Sequence, residues 1–113
     1  MEDDRHMREA LASLIELFDY DGCAFEGPEK LLSTFTAGRF DCVISDVRMP
    51  GMDGLELQRR LAFLDPALPI IFVTSYEDSA TRRRAIEQGA RVVLTKPVSA
   101  DILQKEISAA LAD

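Results

Sequence analysis

Short apolar runs alternate with amphipathic helical patterns along the whole chain, and this alternation restricts the fold more than any other feature. From Arg5 to Asp19, Met7, Ala10, Leu11, Leu14, Ile15 and Phe18 recur at helical spacing. Asp21-Gly22 breaks that pattern, and Cys23-Ala24-Phe25 follows as a short strand candidate. Gly27-Pro28 opens a second helix, carrying Leu31, Leu32 and Phe35 and stopping near Gly38. Phe40–Ser45 reads as a buried strand, because its Cys42-Val43-Ile44 centre is continuous rather than alternating. Met49-Pro50-Gly51-Met52-Asp53-Gly54 is turn chemistry, with Asp53 as N-cap of a third helix bearing Leu57, Leu61 and Leu64 and ended by Asp65-Pro66. Pro69–Thr74 is the strongest strand. A fourth helix spans Asp78 to Gln88 and is capped by Gly89; the strand Arg91–Thr95 is closed by Lys96-Pro97. Ser99 then N-caps a final helix with Leu103, Ile107, Ala110 and Leu111 on one face.

This order predicts an α/β fold of three layers: a doubly wound parallel sheet with helices on both faces, in one domain over residues 1–113. The 113-residue length fits one domain. A formal net charge of −7, from 20 acids against 13 bases, argues against direct nucleic-acid binding. Arg82-Arg83-Arg84 reads as a solvated helix face and His6 as a surface residue. Cys23 and Cys42 form no close motif and read as reduced core residues of a cytoplasmic protein. No apolar run approaches the ~20 residues of a membrane span.

Ligands of open parallel sheets bind beyond the carboxyl ends of the strands. Asp46, Thr74 and Lys96 fall at three such ends, while Glu2, Asp3 and Asp4 precede the first helix and can share that rim. Clustered carboxylates repel and ask for a cation. Oxygen ligands without a nearby His or Cys pair favour a hard ion such as Mg2+. A carboxylate beside magnesium, a lysine and a hydroxyl is equipped for phosphoryl transfer.

These residues resemble a known family. Glu2-Asp3-Asp4 with Arg8 is similar to the acidic opening of response-regulator receiver domains, and Ser45–Gly54 resembles their phosphorylation loop. Thr74-Ser75 and Lys96-Pro97 match the hydroxyl and lysine motifs, and their spacings from Asp46 agree with the family. The resemblance implies a flavodoxin-like strand order, 2-1-3-4-5, with Asp46 as phosphoacceptor. It implies Asp3 as direct magnesium ligand, Glu2 as the outer acid acting through water, and Arg48 as donor of a backbone carbonyl. Thr74 and Lys96 would bind the phosphoryl group, and the Lys96–Pro97 bond would be cis. The implied partners are a sensor histidine kinase or phosphotransfer protein and a downstream output protein or domain. A homodimer through the fourth helix, last strand and last helix is left open.

The sequence departs from the family twice. A receiver normally begins with a hydrophobic strand running into the acidic pair, and here only Met1 precedes Glu2. The expectation is a truncated or miscalled start, giving about four strands and five helices. Val93 stands where an aromatic residue usually swings inward on phosphorylation, and a β-branched valine cannot make that movement. A non-phosphorylated interaction module of the same fold is therefore the second reading, and a small-substrate phosphotransfer hydrolase the third.

Overall fold

The computed structural model describes residues 2, 5–47, 52–75 and 79–112. In chain order its elements are α1 (Arg5–Leu17), α2 (Pro28–Thr34), β1 (Val43–Ser45), α3 (Gly54–Leu64), β2 (Ile70–Thr74), α4 (Ser79–Glu87), β3 (Val92–Thr95) and α5 (Ala100–Ala112). Local signals set most of the boundaries. Asp53 caps α3 by accepting a hydrogen bond from the Glu56 N–H at 2.9 Å. Ser99 Oγ accepts from the Ile102 N–H at 3.1 Å and starts α5. Gly89, at φ +104°, supplies the left-handed residue that closes α4.

The three strands form one parallel sheet in the order β1-β2-β3, with Ile44 beside Ile71 and Phe72 beside Val93. Parallel strands need covering on both faces, and two apolar clusters supply it. One gathers Leu31, Val43, Leu57, Leu61, Phe72 and Val93, with Phe25 and Phe40 at its margin. The other gathers Ile71, Val73, Leu103 and Ile107, with Leu11, Leu14 and Ile15 of α1 packed against it. Alternate side chains of β2 thus feed opposite cores, which is the physical content of its unbroken apolar run.

Three expectations need correction. Cys23–Phe25 is not a strand; among the described residues the Glu2 N–H donates to Phe25 O at 3.2 Å, and one rung is no ladder. The helix α2 ends at Thr34 rather than near Gly38, because the Ser33 and Thr34 hydroxyls bond back to Lys30 O at 3.0 and 3.1 Å and Arg39 Nη1 takes Thr34 O at 2.7 Å. Cys23 is exposed and so lies outside the core, whereas Cys42 is half-buried and packs against the second cluster; both are free thiols.

Candidate functional site

The sheet register brings three side chains to one rim. Asp46 is the residue after β1, Thr74 ends β2 opposite Thr95, and Lys96 follows β3. A main-chain bond from Lys96 N to Thr74 O at 2.8 Å extends the ladder by one rung beyond the strands. It fixes the point at which the lysine side chain leaves the sheet. The Lys96–Pro97 bond is cis, as the resemblance implied.

Lys96 Nζ donates to Asp46 Oδ2 at 3.0 Å and to Glu2 Oε2 at 2.8 Å. Glu2 is 2% exposed and Asp46 8%, so two buried carboxylates converge on one ammonium. Burial pushes the Lys96 pKa down, but the hydrogen bonds and charges of Glu2 and Asp46 outweigh it and leave the ammonium above its usual lysine value. Glu2 is held from its backbone as well: its N–H reaches Phe25 O, and Arg8 Nη1 donates to its carbonyl at 3.0 Å. Thr74 is buried at the adjacent strand end. Asp3 and Arg48, the other expected ligands, lie outside the described residues.

Among the described residues two carboxylates face one ammonium here, and the metal-ligating atoms those carboxylates offer are oxygens. That chemistry fits a hard divalent cation. Among the described residues no group of three or more His, Cys, Asp or Glu side chains gathers at one point.

Two residues outside the expected set shape the site. Gly54, the first residue of α3, donates its N–H to Val47 O at 2.7 Å, and a Cβ there would lie 2.5 Å from Asp46 O and 2.9 Å from the Phe72 ring. Only glycine lets α3 approach the Asp46 backbone this closely. The signal was present as Asp53-Gly54, which reads as turn chemistry without a structure. Arg82 corrects the reading of a solvated basic run: it is half-buried, and its guanidinium donates to Val93 O at 2.8 Å and Thr95 Oγ1 at 3.2 Å. Arg83 and Arg84 are exposed, as expected. Val93 itself is 5% exposed and packed in the core.

Among the described residues no helix is long and apolar enough to cross a membrane. A family model described as the response regulator receiver domain matches residues 1–108. The chain is 41% identical to the C4-dicarboxylate transport transcriptional regulatory protein DctD of Rhizobium meliloti over 91% of its own length and 22% of the relative's. It is 33% identical to the transcriptional regulatory protein FixJ of Bradyrhizobium diazoefficiens over 98% of its length and 54% of FixJ. It therefore spans about a fifth to about half of the length of these curated relatives. The crystal structure of a response regulator receiver protein from Burkholderia phymatum superposes with a TM-score of 0.84 at 34% identity, covering 99% of this chain and 91% of that one.

Proposed function

The chain belongs to the response regulator receiver domain family, and on that footing we propose that it is a phosphoacceptor of a two-component phosphorelay, modified on Asp46. The observation that carries this reading is the convergence of Asp46 and Glu2 on Lys96 at the carboxyl rim of a parallel sheet. A sensor histidine kinase or a phosphotransfer protein donates the group. An Asp46 carboxylate oxygen bonds to phosphorus as the bond from phosphorus to the donor's imidazole nitrogen breaks, and that nitrogen takes up a proton. Lys96, charged across the physiological range, stands beside the attacking carboxylate and neutralises charge on the transferring oxygens. Thr74 offers a hydroxyl at the neighbouring strand end.

Glu2 and Asp46, with Asp3 and the Arg48 carbonyl, would hold Mg2+. The ion supplies further neutralisation of phosphoryl charge when bound. Water later hydrolyses the acyl phosphate, so the domain takes part in its own dephosphorylation while turning over no external metabolite. Modification shifts a two-state equilibrium toward a surface read by an output protein or domain. The Arg82 tie between α4 and β3 gives that equilibrium a point of control that needs no aromatic at Val93. We place this single domain, residues 1–113, in the cytoplasm, with no direct contact to nucleic acid.

The test is incubation with a small phosphodonor such as acetyl phosphate. Acid-stable, base-labile label is expected with magnesium present, strongly reduced by a chelator and absent from Asp46→Asn. Full labelling of Asp46→Asn would sink the assignment.

A further inference from the structure

Among the described residues β3 is the outer strand of the sheet, so no strand lies along its far edge. Main-chain groups of successive residues turn alternately to the two edges of a strand. Lys96 N turns inward to Thr74 O, so Thr95 and Val93 turn their main-chain groups outward. Pro97 has no N–H, which makes Lys96 the last donor of this ladder. On the outer edge Arg82 stands where a neighbouring strand would: Nη1 donates to Val93 O at 2.8 Å and Nη2 to Thr95 Oγ1 at 3.2 Å. A guanidinium is a rigid planar fork, so bridging two acceptors fixes both.

The base of this strut is anchored separately. Ala85, one helical turn after Arg82, is the fully buried residue of α4, and its carbonyl accepts from the buried Gln58 amide of α3 at 2.9 Å. At the other end of the strut, Lys96 directly follows Thr95 and its Nζ must meet both Asp46 and Glu2, at 3.0 and 2.8 Å. A strand end held from one side can swing, and a small displacement at Thr95 is carried to that ammonium. We infer that Arg82 is a positioning residue for the phosphoryl transfer proposed above. By clamping the outer edge of β3 at Val93 and Thr95, it holds Lys96 where the ammonium meets the transferring oxygens. The effect on rate rests on the phosphoacceptor reading; the effect on Lys96 itself does not.

Two readouts on the full chain test this. Reductive methylation followed by mass spectrometry gives the reactivity of Lys96 relative to the exposed Lys105. The initial rate of labelling by acetyl phosphate with magnesium gives the chemistry. Arg82→Met should raise the Lys96 reactivity severalfold and slow labelling by about tenfold. Arg82→Lys keeps the charge but not the fork and should recover only part of both. Thr95→Val, nearly isosteric, should move both in the same direction by a smaller factor and add nothing in the Arg82→Met background, since the two residues act through one contact. It also carries the test if Arg82→Met does not fold. Asp53→Ala, which weakens only the α3 cap, should change neither readout. In a wild type that takes no label the phosphoacceptor reading falls, and Lys96 reactivity alone decides the positioning. Unchanged Lys96 reactivity in folded Arg82→Met, raised reactivity with an unchanged labelling rate, additive effects of Thr95→Val, or wild-type behaviour of Arg82→Lys overturns the inference.

Discussion

The strand β2 and the helix α1 both carry apolar sequence, yet they meet different surroundings. All five residues of β2 are buried, while none of the thirteen residues of α1 is. The strand has a neighbour on each edge and a core on each face. The helix lays Leu11, Leu14 and Ile15 on one core but also borders, through Leu11 and Ile15, a cavity that reaches Gly22 and Ile44, so its stripe is only half covered. Burial follows from what packs on the far side and not from apolar character alone. The contrast divides the site. Asp46, Thr74 and Lys96 are fixed by sheet register, whereas Glu2 hangs on one rung to Phe25, a bond from Arg8 and the Lys96 ammonium.

Side-chain truncation in the strand and in the helix should have very different costs. Phe72→Ala removes a fully buried ring and should cost about 3–5 kcal/mol by urea unfolding. Leu11→Ala, half-buried beside the cavity, should cost less than half of that, roughly 1 kcal/mol. Equal losses would mean that α1 is packed as tightly as the sheet.

Lys96→Met comes next, since it leaves the Glu2 and Asp46 carboxylates facing each other. Removing one member of a buried ion pair costs up to about 3–5 kcal/mol, and the partly solvated lysine should fall near the lower end. Because Lys96 is raised above its ordinary 10.5, its contribution is fully present below that pH and is lost as pH rises through the higher folded value. The stability gap between wild type and Lys96→Met should hold steady from about pH 8 to 10 and close above it. A gap that closes already near neutral pH would assign the effect to another group.

Gly54→Ala should cost about 1–3 kcal/mol, because the new methyl meets the Asp46 carbonyl and the Phe72 ring. It should also slow labelling of Asp46 more than its stability loss explains, by displacing that backbone. Asp53→Ala, which removes only the α3 cap, should cost about 1 kcal/mol and leave labelling unchanged at temperatures where the domain stays folded. Together the two separate the role of Gly54 at the site from the general stability of α3.

Much of this was legible in the sequence because its signals are local. The caps at Asp53, Ser99 and Gly89 and the unbroken run of β2 depend on neighbours within a turn or two, and the structure places all of them as read. The order of Asp46, Thr74 and Lys96 along three strand ends follows from parallel topology once the strands are recognised. What failed was set by distant partners. Cys23–Phe25 reads as a strand, but strand character needs a ladder, and a tripeptide carries no information about its neighbour. Arg82 sits in a basic run, and only the closeness of α4 to β3 shows it reaching Val93 O. The place of Glu2 at this rim was legible, but its contact with Lys96 bridges nearly the whole chain, and no spacing rule gives that pairing.

Modification at Asp46, and at no other acid of this rim, can be read out directly. Borohydride reduction after incubation with acetyl phosphate and magnesium converts an aspartyl phosphate to homoserine, with phosphate as the leaving group, and marks the position for peptide sequencing. The mark is expected at position 46 alone, with Lys96→Met lowering its yield. A mark at Asp41 or Asp53, or none at position 46 while label is incorporated, would contradict it.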